Sequence, residues 1–252
     1  GGHHAANITD AYDYKVKGDV LCFSPQGQLI FKLPNVGINS NTVLFRNKAS
    51  QGNPDENPAD PEAGAFANKV LEYNPAPSQY MNTSYTAYEE GFTGIQVLAR
   101  ATELLQDRTT CLFTLGGFGG NITVGFDHTI PNVPGEYDFK IYGNAYYDMY
   151  GTLLDKPGGN SEPGIVLVSK DTNGNGLPDD EWYELAGSEY NSPATIRNYE
   201  ITYYRPTPAD GDVKWKDNQG KEGYIYRNTY HTQGSYYPAW MPAEITFRGS
   251  RL

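Results

Sequence analysis

Short apolar runs recur along the chain, and glycine, proline or asparagine separates each run from the next. The clearest run places Ile122, Val124 and Phe126 at alternate positions, which is the period of a strand that buries one face. The pattern predicts many short strands joined by tight turns. Comparable runs begin at Val20, Leu29, Thr42, Leu112, Tyr137, Gly164, Glu200 and Glu244.

One stretch, residues 91–106, has the period of an amphipathic helix instead. Its predicted apolar stripe consists of Ile95, Leu98, Ala99, Thr102 and Leu105. Thr93 is suited to the N-cap position. We therefore expect one helix, placed at one end of a β-sandwich.

The order of these elements predicts the fold class. Strand runs without intervening helices favour an all-β, jelly-roll-like β-sandwich with one short α-helix and long loops. The 252 residues are interpreted as one domain, in which 1–65 supply N-terminal strands and 66–252 the main jelly-roll body. Residues 50–64 are acidic and proline-rich, and we interpret them as a loop. A linker after a small N-terminal unit is the alternative.

Charge and cysteine content narrow the function classes. The net charge of −11 predicts an acidic surface that repels phosphate backbones, so we expect no nucleic-acid partner. No apolar run approaches the roughly 20 residues of a membrane span, so we expect no transmembrane segment. Cys22 and Cys111 fit either one disulfide or two free thiols.

The strongest chemical signal lies in residues 171–182, which read DTNGNGLPDDEW. Oxygen-bearing side chains occupy alternate positions, and a glycine stands sixth, where a calcium loop turns sharply. Calcium prefers six to eight oxygen ligands. The predicted ligands are the side chains of Asp171, Asn173, Asn175, Asp179 and Glu181, and the backbone carbonyl of Leu177.

This loop departs from the EF-hand pattern. Trp182 stands where an EF-hand has its bidentate glutamate, so Glu181 or Asp180 would complete the shell. The flanks are strand-like, which indicates a hairpin with a structural ion. The alternative is an Asn- and Gly-rich turn without an ion. Residues 171–190 carry six acids and no Lys or Arg, which favours the cation.

The glycine-rich residues 116–120 (GGFGG) do not form a phosphate loop. They lack the Lys-Ser/Thr pair of a P-loop, and a strand follows them where a helix should begin. Glycine here is expected to permit a bulge or close sheet packing around Phe118.

Catalytic constellations are weak in this chain. A catalytic triad with His128 or His231 would need a nucleophilic serine, and the chain contains no Gly-x-Ser-x-Gly motif. We therefore expect no enzyme. A polysaccharide hydrolase remains an alternative, because paired carboxylates across a cleft cannot be recognised in sequence. Its candidates are Glu136, Asp138, Glu162 and Glu184.

The C-terminal third is rich in aromatic and small polar residues. Aromatic rings with polar groups are typical of recognition faces, and this mixture suits glycans. Alternation in Tyr224-Ile225-Tyr226 predicts that some of these rings face solvent. The predicted ligand-binding residues are Tyr146, Tyr147, Trp215, Tyr236, Tyr237 and Trp240.

Six segments carry a resemblance in order along the chain: EYNPAPSQYMN (72–82), LGGFGGNITVGFDHTI (115–130), GEYDFKIYGNAYY (135–147), SEPGIVLVSKDTNGNGLPDDEWYELAGSEY (161–190), ITYYRP (201–206) and YYPAW (236–240). Together they resemble uncharacterised PKD-like cell-surface lipoproteins and adhesion proteins of gut anaerobic bacteria. The resemblance covers roughly residues 70–245 and brings no catalytic residues with it.

The resemblance implies a jelly-roll module on the extracellular face of a bacterial outer membrane, lipid-anchored or secreted. It suggests a glycan or a small envelope-imported ligand as partner. An accessory role beside an outer-membrane transporter, in uptake of a corrinoid or similar cofactor, is the alternative. Asp138, Asn144 and Glu162 lie in its motifs and are candidates for a second polar site.

Overall fold

The computed structural model describes residues 11–14, 29–32, 41–46, 66–106, 112–126, 130, 137–143, 146–147, 159–160, 164–230 and 232–251. These residues form one α-helix, α1 (Gly94–Leu105), and a short 3-10 turn over Ser84–Thr86. The strands are β1 (Ala11–Tyr14), β2 (Leu29–Lys32), β3 (Asn41–Arg46), β4 (Lys69–Asn74), β5 (Phe113–Gly116), β6 (Asn121–Gly125), β7 (Phe139–Gly143), β8 (Tyr146–Tyr147), β9 (Gly159–Asn160), β10 (Leu167–Lys170), β11 (Trp182–Glu184), β12 (Ile196–Tyr204), β13 (Val213–Asp217), β14 (Glu222–Ile225) and β15 (Glu244–Arg251).

The strands pair antiparallel in several small sheets. One sheet has the order β1-β7-β3-β5, a second β11-β10-β2-β6-β4, and a third β14-β13-β12-β15, while β8 pairs with β9. None of these sheets closes into a barrel within the described residues. The fold is therefore mostly β with one short helix, as the sequence predicts.

The first core brings together side chains of the first two sheets. Phe113 and Phe139 come from β5 and β7, whereas Ile122, Val124 and Val168 come from β6 and β10, and all belong to one buried cluster. Two sheets that share a core in this way bury one face of each against the other.

The second core lies under the third sheet. It is built from Tyr199, Ile201 and Tyr203 of β12 with neighbours from β13 and β15. Phe118, from the turn between β5 and β6, packs edge-on against Tyr199 with ring centroids 4.9 Å apart. The turn that joins the first two sheets therefore contributes a side chain to the core of the third.

The glycines of that turn permit this packing, as predicted. A Cβ at Gly116 or Gly120 would overlap the backbone around Ala76 or Leu115, and one at Gly119 would overlap Phe247. Gly116 and Gly119 also have φ of +76° and +84°, which glycine adopts without strain.

The helix begins after Thr93, as predicted, but the stripe that it buries differs from the predicted one. Val97, Ala101 and Leu105 are buried, whereas Ile95 is 82% exposed. The prediction was therefore wrong for Ile95 and also for Ala99, which is exposed. Thr102 is half-buried, and its hydroxyl accepts a hydrogen bond from the Val70 N–H of β4 at 3.1 Å. Contact with β4 fixes which side of the helix faces the core.

Strand β6 also departs from its pattern. Alternation predicted one exposed face, but every residue of β6 is buried. Thr123, on the supposedly wet face, donates a hydrogen bond to Glu72 at 2.9 Å. Both faces of β6 are therefore buried, and its two edges are paired with β2 and β4 within the sheet.

Within the described ranges, no helix combines the length and apolar character that crossing a membrane requires.

Candidate functional sites

The predicted calcium loop is a hairpin connection. Strands β10 and β11 pair antiparallel, with Ser169 opposite Trp182 and Leu167 opposite Glu184. Residues 171–181 therefore leave and re-enter the same sheet. Gly174 and Gly176 have φ of +72° and +71°, which lets the backbone coil tightly between the strands.

Asp171 organises the loop. Its carboxylate is buried, and Oδ1 accepts hydrogen bonds from the N–H groups of Gly174 (2.7 Å) and Asn175 (3.1 Å). Oδ2 accepts from the Gly176 N–H at 2.8 Å. One carboxylate thus accepts hydrogen bonds from three successive residues of the turn. These hydrogen bonds are strong because the acceptor is charged.

Asn173, Asn175 and Asp179 gather around the same loop. The Asn175 amide donates to Asp179 Oδ2 at 3.0 Å, and the Asn173 amide lies 3.5 Å from Asp179 Oδ1. The amide oxygens accept from the backbone N–H groups of residues two positions later, at 2.9 Å and 2.8 Å. Asp171, Asn173, Asn175 and Asp179 thus belong to one hydrogen-bonded loop, and their role as calcium ligands stays a prediction.

The remaining predicted ligands lie differently. Asp180 accepts hydrogen bonds from Thr172, through its hydroxyl and its N–H, at the base of the hairpin. Glu181 accepts a hydrogen bond from the Tyr183 hydroxyl at 2.7 Å, and this bond raises the pKa of Tyr183. The Leu177 side chain is exposed at the loop tip. Of the two residues expected to complete the shell, Asp180 contacts the loop through Thr172, whereas Glu181 contacts Tyr183 of β11.

The donor set suits a hard cation in part. The donors include two carboxylates, from Asp171 and Asp179, and two amide groups, and calcium accepts carboxylate and amide oxygens. The amide N–H groups of Asn173 and Asn175 face Asp179, so both amides would have to turn to present oxygen to an ion. Among the described residues, no three His, Cys, Asp or Glu side chains converge as a metal-binding group. A site with so few charged ligands belongs to the weak range of calcium sites.

The chain matches no protein-family model, and no curated protein is similar to it in sequence. The roles of its residues are therefore argued from geometry.

Two of the predicted ligand-binding aromatics are core residues. Tyr236 and Tyr237 are buried in the second core, and the Tyr237 hydroxyl donates to the Pro242 carbonyl at 2.6 Å. Both therefore lie beneath the surface and not on a solvent-facing platform, which corrects the prediction for these two positions.

Trp215 and Trp240 are half-buried. Trp215 packs against the second core and over Gly223, while Trp240 stacks on Tyr88 with ring centroids 5.3 Å apart. Tyr146 and Tyr147 form β8, whose described features are limited to its backbone pairing with β9. The predicted six residues do not form one described face.

An exposed aromatic pair lies on β14 and just after it. Tyr224 and Tyr226 are 48% and 69% exposed, with ring centroids 6.0 Å apart, while Ile225 between them faces the second core. Alternation predicted this arrangement, but neither tyrosine was among the six chosen residues. A preference for paired aromatics separated by one apolar residue would have selected them.

Charged side chains beside this pair contact one another. Lys214, opposite Tyr224 in the sheet, lies 3.2 Å from the Glu222 carboxylate, and Lys216 lies 3.5 Å from it. The hydrogen bond from Lys214 and the charges of both lysines lower the pKa of Glu222. Arg227 donates to the carbonyls of Asp210, Thr232 and Gln233 and so holds the following loop.

The other candidates receive little structural support. Asp138 is buried beside β7, and Glu184 lies 3.5 Å from the Arg197 guanidinium. The remaining candidates lie outside the described residues: Cys22, Cys111, His128, Glu136, Asn144, Glu162 and His231.

Proposed function

We propose that the protein is a non-catalytic cell-surface binding domain that recognises glycan through exposed tyrosines, with a calcium-stabilised hairpin as a structural element. The observation that carries the proposal is the pair Tyr224 and Tyr226, two adjacent exposed rings on an edge strand. Exposed aromatic rings with hydroxyl groups can pack on the apolar face of a sugar and still hydrogen-bond to it.

The rigid placement of this pair supports the proposal. Strand β14 pairs with β13 along Glu222–Ile225, and the Arg227 N–H donates to Asp212 at 3.0 Å just beyond the strand. The rings are therefore presented by ordered backbone, which lowers the entropic cost of binding.

The proposed setting rests on the resemblance to cell-surface lipoproteins. We place the domain on the extracellular face of a bacterial outer membrane, lipid-anchored or secreted, and assign its first two sheets to a jelly roll. The shared buried cluster of those sheets supports a sandwich arrangement.

A glycan array with purified protein tests the ligand class. We expect binding without release of product, and loss of binding in a variant with both Tyr224→Ala and Tyr226→Ala. A Tyr183→Ala variant, which removes a tyrosine of similar exposure on β11, should bind normally. Hydrolysis of a polysaccharide, or binding of cobalamin in place of any glycan, would replace this proposal.

Calcium in the hairpin would be held by Asp171, Asp179 and the Asn173 and Asn175 amide oxygens, and its binding would stabilise the folded state by mass action. Chelator should lower the melting temperature, and millimolar calcium should restore it. An Asp179→Asn variant should lose this response, whereas Glu189→Gln, the same charge change outside the loop, should keep it. A wild-type melting temperature that ignores both calcium and chelator would remove the ion from the proposal.

A further inference from the structure

Residues 78–87 have an unusual backbone. Tyr80, Asn82 and Ala87 have φ of 65°, 56° and 54°, the left-handed region that non-glycine residues seldom adopt. Such conformations are strained for a residue with a side chain and persist where surrounding contacts impose them.

The contacts that impose this shape come from the C-terminal part of the chain. The Asn82 amide donates to the Tyr237 carbonyl at 2.9 Å, and its Oδ1 accepts from the Ala239 N–H at 2.7 Å. The Ser78 N–H donates to the Tyr236 carbonyl at 2.9 Å. The segment is therefore fastened to residues that form part of the second core.

This fastened segment presents an aromatic ring to solvent. Tyr85 is 45% exposed, and its ring packs edge-on against Tyr80 with centroids 5.6 Å apart. A capping box at Thr83 and Thr86 holds the turn that carries Tyr85. The Tyr80 ring and the capped turn thus hold the Tyr85 ring in place, and its exposed part is accessible to a ligand.

The segment also contacts the loop that follows the exposed tyrosine pair. The Asn228 amide donates to Gln79 Oε1 at 2.9 Å. Asn228 is two residues from Tyr226, a separation of at most about 7 Å along the chain. Tyr230, which is 91% exposed, follows two residues later. The Gln79–Asn228 hydrogen bond thus joins the segment that carries Tyr85 to the segment that carries Tyr226 and Tyr230.

The segment that carries Tyr85 has no charged side chain, whereas Lys214, Lys216 and Glu222 near Tyr224 are paired with one another. Residues 73–88 contain no Asp, Glu, Lys or Arg in a chain of net charge −11, and the nearby Arg227 is paired with Asp210 at 3.4 Å. A locally neutral, hydroxyl- and amide-rich surface offers no attraction to a highly charged ligand. It favours a neutral carbohydrate over an acidic polysaccharide or a basic peptide.

We propose that Tyr85 and Tyr230, which lie on the two chain segments joined by the Gln79–Asn228 hydrogen bond, form a second subsite that continues the surface of Tyr224 and Tyr226. The ligand is accordingly an extended neutral oligosaccharide that reaches beyond a single subsite. This inference rests on the proposed glycan-binding function and adds the length and charge class of the ligand.

Isothermal titration with disaccharides and hexasaccharides of α-glucan, β-glucan and β-mannan tests the second subsite. The wild type should bind a hexasaccharide more tightly than the matching disaccharide. Tyr85→Ala should weaken hexasaccharide binding roughly threefold to tenfold and leave disaccharide binding unchanged. Tyr230→Ala should do the same, and its exposed position makes damage to the fold negligible.

Tyr137→Ala is the matched control, because Tyr137 is 47% exposed, similar to Tyr85, and lies outside the proposed surface. Equal affinity for short and long oligosaccharides, unchanged hexasaccharide binding in both variants, or tighter binding of polygalacturonate would overturn the second subsite. If the double variant at 224 and 226 abolishes binding, whereas Tyr85→Ala and Tyr230→Ala leave it unchanged, the proposed function stands and this inference fails. If the wild type binds none of these neutral glycans, both fail.

Discussion

Asp171 links the sequence pattern of the hairpin to its stability. Its buried carboxylate accepts three backbone N–H groups, and an amide in its place would put donors where acceptors are needed. Asp171→Asn should therefore lower the free energy of unfolding by about 2–4 kcal/mol, even in the presence of chelator. Urea unfolding of both proteins measures it. The Asp179→Asn substitution, at an exposed position, should lower the free energy of unfolding far less under the same conditions.

The buried tyrosines of the second core set an alkaline limit on stability. Burial, with the hydrogen bond that its hydroxyl donates to Asp217 at 2.8 Å, raises the pKa of Tyr199 from 10.0 to about 12. Burial likewise raises the pKa of Tyr237 to about 12. The unfolded chain releases these protons at lower pH than the folded chain, so their contribution is complete below about pH 10 and is lost as the pH rises through 12.

The urea midpoint of the wild type should accordingly fall between about pH 10 and 12. Tyr199→Phe should make this fall shallower, because one proton fewer is released on unfolding. Tyr226→Phe, at an exposed position, should leave the slope unchanged. Identical slopes for the wild type and Tyr199→Phe would contradict the assignment.

Asp217 acts in the opposite pH range. Burial by itself would raise its pKa, but hydrogen bonds from the Lys221 N–H, the Tyr199 hydroxyl and the Gln219 N–H together lower it. Its contribution to stability is therefore present above the usual carboxylate range and is lost on acidification through the lowered value.

At the scale of single elements, the β5–β6 turn and the β10–β11 hairpin each contribute one glycine to a matched pair of substitutions. Gly119 and Gly174 both have positive φ, but a Cβ at Gly119 would meet Phe247, whereas one at Gly174 meets nothing within 4 Å. Gly174→Ala should cost about 1–2 kcal/mol from its backbone alone. Gly119→Ala should cost about 1–3 kcal/mol more from overpacking. If Gly119→Ala and Gly174→Ala lose the same stability in thermal or urea unfolding, Phe247 has moved away from the added methyl group and the overpacking prediction is wrong.

Sequence patterns predicted the elements better than their environment. The strands at 29–32, 41–46, 113–116 and the second half of 196–204 follow from apolar runs and turn residues, because those signals are local. The exposure of Ile95 and the burial of Thr123 depend on β4, which contacts both the helix and β6 through pairings remote in sequence. A single-sequence pattern holds no record of such neighbours.

The same limit applies to the candidate sites. The loop at 171–181 could be recognised because its donors follow one another along the chain. Tyr236 and Tyr237 were misplaced because consecutive aromatics outside a strand have no period from which burial can be read, and both are buried here. The contact between Gln79 and Asn228 joins residues 149 positions apart, and no local signal could indicate it.

At the scale of the whole molecule, Phe118 couples the two cores. It belongs to the turn between the first two sheets, yet its ring lies in the core of the third, and the Tyr203 hydroxyl donates to its carbonyl at 3.2 Å. Phe118→Ala should cost about 3–5 kcal/mol, as expected for a buried aromatic ring.

Loss of this ring should also separate the unfolding of the two cores. Trp240 packs against the first core and Trp215 against the second, so variants that retain a single tryptophan report each one. With Phe118 present, both fluorescence transitions should coincide; with Phe118→Ala, the Trp215 transition should occur at lower urea. Coincident transitions in both backgrounds would refute the coupling.

The position of the third sheet in the chain has a consequence for biosynthesis. The buried residues of the first core lie between Ala67 and Val168, whereas the sheet above the second core is completed only by Glu244–Arg251. On the ribosome, the first core can assemble before β15 has been synthesised. During that time the apolar side of β12 is not yet covered by β15. Premature termination before residue 244 would leave Ile201 and Tyr203 uncovered, and we expect such nascent products to be retained by chaperones or degraded.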